Sequence, residues 1–368
     1  MNADILLTQE ANRGLFDLRG IFHTTVSRIE SYYKCPFSFL MTYGLHLKPR
    51  EEAALQMYDL GTVMHGIIDE ASEYLFQLPE NAGMEQCGEI VEAVYESVAS
   101  KMRFAGTELT KREAYALNRI KKYAAAAFYH VKKQIDAGKF TACGFEVPFD
   151  FSEASLLKPI VLRPERQTPF LEKIDVTGRI DRYDVMEAEG KKYVRIIDYK
   201  SSPVMLSEQE IKAGIKLQLI VYLNAVVDSY PEGTAAPGGA LYFKFGDDIT
   251  AIGKHISCAQ KTEQEKQFIM NGFVLNDQRV LDGMTGGRET GVIGGRLLTG
   301  GGISFANNKS LKSEEEFQAM KQYAYENIKN AAARISEGNY PIAPSAFADP
   351  APCRYCNMRP ICANCGDS

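Results

Sequence analysis

Nothing in this 368-residue chain is apolar for long enough to cross a bilayer, and its opening residues lack the basic-then-apolar pattern of a signal peptide. A cytoplasmic location with no membrane partner is the expectation. Internal repeats and low-complexity tracts are also missing, which sets aside solenoids and disordered arrays. Nor is positive charge in excess: 42 Lys and Arg stand against 47 Asp and Glu, a formal net charge of -5. A nucleic-acid partner would therefore have to be met by a local patch. The glycine-rich run "GMTGGRETGVIGGRLLTGGG", residues 283–302, holds no G-x-x-x-x-G-K-[ST], so it is not a phosphate-binding P-loop. It reads as a mobile loop, and any ATP-driven motor would lie in other sequence or in a partner chain.

What is present is ordinary for a soluble globular protein: 45% hydrophobic and 24% charged residues, at a length that suits roughly two domains or one larger enzyme core. Ser27, with Glu30 three residues later, has the spacing of a helix-starting capping box. Met64, Ile67, Ile68, Ala71, Leu75 and Leu78 recur at helical period, and the stretch from about Glu85 to Ala137 continues helical. "GFEVPFDF", "KIDVTGRIDRYDV" and "KKYVRIIDYK" then alternate as strands, followed by a helix from about Ser207 to Tyr230 and a strand in "GALYFKF". A last helix is expected from about Ser313 to Glu337. The order implies an α/β core with a helical insertion. Residues 1–20 form a leading segment, as if cut from a longer protein. Residues 21–368 form one domain: a mainly helical portion at 45–140, the sheet core at 141–250, the loop at 283–302 and a cysteine-bearing tail at 350–365.

Alternation puts Val194, Ile196, Asp198 and Lys200 on one side of a strand that is apolar in its first half and charged at its end. Asp181 falls at the end of the preceding strand, with "MEAEGKK" as the turn between them. Two such antiparallel strands could let Asp181 and Asp198 share a divalent cation, since Mg²⁺ and Mn²⁺ prefer carboxylate oxygens. Lys200 could orient or help deprotonate a water, or offset charge on a phosphate. The plain alternative is a pair of surface ion pairs. His65 follows Gly61 by one helical turn, where the glycine would admit a close backbone and the imidazole could join the cation. Gln218 and Tyr222 share a helix face, and Glu146 is a further acid within reach of the site. Lys111, Arg112, Arg119, Lys121, Lys122, Lys132 and Lys133 could follow a phosphate backbone, or simply form a solvated helix face.

Cys353, Cys356 and Cys362 give C-x₂-C-x₅-C, a density that reads as a metal site in a reducing compartment. The fourth ligand is Cys365 or Cys35, and spacing alone favours Cys365 in a small zinc knuckle. Cys87, Cys143 and Cys258 are isolated thiols.

The order G-x-x-x-H at 61–65, G-x-I-D-R at 178–182, D-Y-K at 198–200 and Q-x-x-x-Y at 218–222 resembles the RecB-type nucleases of the PD-(D/E)XK superfamily. The likeness runs from Ser27 to Cys362 and is nearest to the C-terminal nuclease domain of AddB-type subunits of bacterial ATP-dependent helicase–nucleases. It implies a restriction-endonuclease-like mixed sheet flanked by helices, and Mg²⁺-dependent hydrolysis of DNA as an exodeoxyribonuclease. His65, Asp181, Asp198 and the carbonyl of Tyr199 would hold the metal; Lys200 would position water, and Gln218 and Tyr222 would guide the strand. The likeness also favours Cys35 over Cys365, with Cys35, Cys353, Cys356 and Cys362 stapling the chain ends through a [4Fe–4S] cluster rather than Zn²⁺. The implied partners are DNA and an AddA-type helicase–nuclease, in double-strand break repair by recombination. The competing readings are a non-cleaving DNA-binding scaffold and a stand-alone Cas4-like exonuclease.

Overall fold

The alternating segments become strands because their apolar sides meet helices rather than water. The computed structural model describes residues 5–16, 19–48, 57–102, 110–168, 170–200, 204–244, 268–286, 295–297, 303–305 and 308–362. In chain order they form α1 (Gln9–Phe16), β1 (Gly20–Thr25), α2 (Val26–Lys34), α3 (Pro36–Phe39), α4 (Met57–Ser72), α5 (Met84–Ser100), α6 (Lys111–Ala137), β2 (Thr141–Phe149) and β3 (Ile160–Leu162). There follow β4 (Leu171–Ala188), β5 (Lys191–Lys200), α7 (Glu208–Lys212), α8 (Gln218–Val227), β6 (Ala235–Lys244), β7 (Asn271–Leu275), α9 (Gln278–Thr285), β8 (Gly295–Leu297), β9 (Ile303–Phe305), β10 (Leu311–Lys312) and α10 (Glu314–Ser336).

The main sheet runs β1-β4-β5-β6-β7-β10, with β2 and β3 also paired to β4. It is mixed: β1–β4, β5–β6 and β7–β10 are parallel, while β4 is antiparallel to β2, β3 and β5. Helix α8 packs on β5 and β6, α4 on β2, and α4, α5 and α6 on one another. The sheet thus recruits β1, β7 and β10 from outside the 141–250 segment expected to hold it.

Several local expectations change. The helix expected to start at Ser27 is capped earlier, by the Thr25 hydroxyl accepting from Arg28 N at 3.4 Å. Glu30 has a different task, described below. Helix α4 ends at Ser72, so Leu75 packs in the core from the turns that follow. The single helix expected over 207–230 is broken into α7 and α8 at Gly214, whose φ is +79° and whose place has no room for a Cβ, because the Tyr33 ring would lie 2.4 Å away. Strand β4 continues to Ala188, so the turn before β5 is only Glu189–Gly190 and Asp181 sits mid-strand. β4 reaches that length by changing partners, from β1 and β3 over 171–177 to β2 from Gly178 on. The leading segment is tied in: Asn12 is fully buried and donates to Ile335 O at 2.6 Å, while Tyr340 Oη donates to Asn12 Oδ1 at 2.6 Å. Of the glycine-rich run, residues 287–294 and 298–302 lie outside the described residues, and Gly295–Leu297 pairs with Ile303–Phe305 as a hairpin.

Candidate active site and cysteine cradle

The ladder between β4 and β5 begins at Arg182 opposite Ile197, which sets Asp181 and Asp198 side by side just beyond its last rung. There the Asp181 carboxylate takes the place of a rung, accepting from Tyr199 N at 2.7 Å. On the other side of β4, Phe145 faces Arg182 and Val147 faces Ile180, so Glu146 lies opposite Asp181. Glu146 has φ +46°, a left-handed backbone rare for a residue with a side chain and costing on the order of 1–3 kcal/mol. Helix α4 brings His65 to this point: its Nδ1 is 3.2 Å from Glu146 Oε1 and 3.8 Å from Asp181 Oδ2. His65, Glu146 and Asp181 each offer a ligand atom within 4.8 Å of the others, a set that could hold a cation. Asp198 Oδ1 is buried and accepts no hydrogen bond among the described residues, while Oδ2 meets Lys200 Nζ at 2.5 Å. A buried carboxylate oxygen with no donor is what a nearby cation would satisfy.

The electrostatics follow from crowding. Burial first, and repulsion from Asp198 second, raise Asp181 from 3.8 to about 7. Asp198 is also raised by burial, with Lys200 opposing. For His65, burial works against the imidazolium, but the Glu146 hydrogen bond and the neighbouring acids win and hold its pKa above the ordinary value. Lys200 is likewise raised, because Asp198 outweighs the penalty of burial, so it remains an ammonium at neutral pH.

Helix α8 supplies the remaining two residues. Its N-terminus is fixed by buried Glu30, whose carboxyl accepts from Leu217 N at 2.7 Å and Gln218 N at 3.0 Å; burial raises the Glu30 pKa, opposed by Lys34 and these two N–H groups. Gln218 Nε2 donates to Tyr222 Oη at 3.3 Å. Tyr222 packs edge-on to Phe149 with centroids 5.4 Å apart, and both rings press on Gly178, where a Cβ would come within 2.6 Å of Phe149. The glycine of G-R-I-D-R is therefore a packing requirement. Gly61 is not: among the described residues a Cβ there would meet nothing within 4 Å, and no close backbone of the expected kind is seen.

Two groups escaped sequence reasoning. Asp69, one turn beyond His65 on α4, has its pKa raised by burial and then by Glu146. Exposed Arg179 donates to Glu146 O at 3.4 Å. Both were legible only as spacings, i+4 from His65 and two before Asp181. The expected basic face of α6 is reduced: Lys132 is buried against Asp136, and Lys121 bonds Glu92 at 2.8 Å. Lys111, Arg112, Lys122 and Lys133 stay exposed.

Cys35, Cys353, Cys356 and Cys362 line one cavity of about 250 Å³. Burial raises the Cys35 thiol, opposed by backbone N–H groups of Ser38, Phe37 and Ala343 directed at its sulphur. Such donors suit a thiolate ligand. Cys365 and Cys258 lie outside the described residues.

A family model for the PD-(D/E)XK nuclease superfamily matches residues 23–363. The chain belongs to that superfamily. It is also similar to proteins named as the B subunit of an ATP-dependent helicase/deoxyribonuclease: 32% identical over 347 residues in Caldanaerobacter subterraneus, 30% over 355 in Acetivibrio thermocellus and 30% over 352 in Bacillus anthracis. Each match covers 92% of this chain, but the chain spans only 29–30% of the length of those relatives. The AddB-type likeness read from the motifs is therefore present along most of the chain. Within the PD-(D/E)XK frame the D-Y-K lysine and both acids stand at one strand junction. Among the described residues no helix is long and apolar enough to cross a membrane.

Proposed function

We propose that this chain is the nuclease part of an AddB-like helicase–nuclease and hydrolyses DNA phosphodiesters with a divalent cation, Mg²⁺ or Mn²⁺. The observation that carries the reading is the convergence of His65, Glu146 and Asp181 beside the Asp198–Lys200 pair. His65, Glu146, Asp181 and Asp198 are the groups that would hold the cation, with Glu146 entering where the motif reading had only an auxiliary acid. A bound cation supplies Lewis acidity, offsetting phosphate charge and making water a better nucleophile. Lys200, beside Asp198, orients the attacking water or offsets charge on a phosphate oxygen. Asp181 and Asp198 attract the cation and set where the phosphate can lie. Gln218 and Tyr222 form a polar edge that orients the strand, and Glu30 holds that edge in place.

We read Cys35, Cys353, Cys356 and Cys362 as ligands of a [4Fe–4S] cluster rather than of zinc. The family likeness is what favours the cluster, and the four cysteines line one cavity of about 250 Å³. By joining Cys35 to the tail, such a cluster would staple the chain through its folding energy. Exonuclease action, an AddA-type partner and a place in double-strand break repair extend the same reading. The deciding experiment incubates the chain with linear and circular DNA in Mg²⁺ and in EDTA, alongside Asp198→Ala. Mg²⁺-dependent loss of linear DNA, abolished by Asp198→Ala, is expected. Binding without cleavage at any metal concentration, from protein that retains its cysteine-bound metal, would replace the nuclease by a DNA-binding scaffold.

A further inference from the structure

The far side of the catalytic strands carries ions that the site itself does not use. Alternation along β4 and β5 puts Arg182, Asp184, Arg195 and Tyr199 on the face away from Asp181, Asp198 and Lys200. Arg182, Asp184 and Arg195 are each 0% exposed. Arg182 grips Asp184 with a fork, Nε donating to Oδ1 and Nη2 to Oδ2, both at 2.7 Å, while its Nη1 donates to Gln134 Oε1 of α6 at 3.2 Å. Arg195 stands directly opposite Asp184 in the ladder and crosses to it from β5, Nε donating to Oδ2 at 2.7 Å. Two cations thus share one carboxylate in the core, and Arg195 Nη1 and Nη2 meet no acceptor among the described residues. Burial holds the Arg195 pKa below its ordinary value against the pull of Asp184. Stability gives little reason for such a group, because apolar side chains of equal volume commonly match or exceed a buried ion triad. Geometry gives one: the β4–β5 ladder ends at Arg182 and Ile197, one residue short of Asp181 and Asp198.

We propose that Asp184 and Arg195 are positioning residues of the active site: their cross-strand clamp sets the ends of β4 and β5 so that Asp181 and Asp198 face one cation. The inference rests on the nuclease reading for its kinetic consequence. Where backbone rungs stop, side chains carry the alignment. Asp184 holds β5 through Arg195 and, through Arg182, fastens the residue next to Asp181. Tyr199 closes the circuit. Its buried phenol interacts with Arg182, its N–H donates to Asp181 at 2.7 Å, and its chain neighbours are Asp198 and Lys200. Gln134 ties Arg182 to α6, so the helical portion takes part in holding the site. The tolerance is small: a constellation of this kind works within about 0.5 Å of its geometry, and a misplacement of about 1 Å can cost 10²-fold in rate.

Arg195→Met separates positioning from stability. It removes the surplus cation and the cross-strand bond, roughly keeps the volume against Phe140, and leaves Arg182 and Asp184 as a neutral pair within β4. In the 368-residue chain its urea midpoint in EDTA should equal or exceed the native one. The site should loosen all the same. In EDTA the Tyr199 amide should exchange with deuterium about tenfold faster. Mn²⁺ binding followed by electron paramagnetic resonance should weaken about tenfold, and Mg²⁺-dependent kcat should fall about 10–10²-fold with KM for DNA within about twofold. Arg195→Lys keeps a donor toward Asp184 and should recover most of each loss. Native Tyr199 exchange, Mn²⁺ affinity and kcat in Arg195→Met would overturn the proposal. A midpoint well below native, or failure to fold, would make the triad a stability element and overturn it as well. No cleavage by the native chain in Mg²⁺ removes the nuclease reading, while the exchange and Mn²⁺ measurements still decide whether the clamp positions the acids.

Discussion

Replacing Asp181 with Asn asks whether the acid cluster serves a cation or the fold. The side chain is 12% exposed and accepts from Tyr199 N at 2.7 Å, a bond the Asn carbonyl can keep. Its pKa is raised from 3.8 to about 7, by burial first and Asp198 second. A carboxyl raised on folding contributes stability that is fully present below its unfolded pKa and is lost as pH rises through the folded value. The window is therefore about pH 4 to 7. Near 1.36 kcal/mol per unit, the loss by pH 8 is at most about 4 kcal/mol, shared with Asp198. Urea denaturation in EDTA should find Asp181→Asn more stable than the native chain by about 1–4 kcal/mol at pH 8, with the gap closing toward pH 4. Saturating Mg²⁺ should reverse the order: a cation at a hundred times its Kd adds about 2.7 kcal/mol to the chain that binds it and little to the variant. A variant less stable than native in EDTA at pH 8 would refute the reasoning. So would equal stabilisation of both chains by Mg²⁺.

Three further outcomes are expected. Lys200→Ala removes the ammonium beside Asp198 and should slow cleavage about 10²–10³-fold while changing DNA binding only a few-fold; equal losses in the two assays would make Lys200 a binding residue. Glu30→Ala leaves the Leu217 and Gln218 N–H groups buried without an acceptor, a loss of about 2–4 kcal/mol by urea denaturation, and Glu30→Gln should recover most of it; an unchanged midpoint for the alanine variant contradicts the assigned role. Cys356→Ser should lower iron content, visible absorption and stability together, whereas Asp198→Ala should retain all three; zinc in place of iron in the native chain would exclude the cluster.

What the sequence disclosed follows from the range of its signals. "KKYVRIIDYK" marks β5 to the residue because a short β-branched and aromatic run bounded by a turn is a local signal, although burial on both faces from Tyr193 to Tyr199 replaces the expected alternation. The start expected near Ser313 holds because the structure closes a capping box there between Ser313 and Glu316, a contact between near neighbours. Ser27 and Glu30 have the same spacing and fail, since Glu30 is claimed by backbone donors 187 and 188 residues away. Asp181 looked like a strand end because β4 exchanges partners near Gly178, and partner exchange leaves no local trace in one strand's pattern. The motif residues could be named, but not the shape of the cradle they enter.

Glu146 shows where such reading stops. "GFEVPF" alternates like any edge strand, and nothing in it announces a left-handed glutamate. The conformation exists because β2 is pinned on both sides of that residue, by Phe145 opposite Arg182 and Val147 opposite Ile180. Between those two fixed pairs the chain accepts strain at Glu146 and brings its carboxylate within 3.2 Å of His65. Left to the antiparallel strand alone, the backbone would relax to a φ of about -140°. The tertiary fold therefore holds a third acid at the junction of Asp181 and His65, against its local preference. Strain held at a point where like charges already repel makes physical sense when a cation is the element that completes the site.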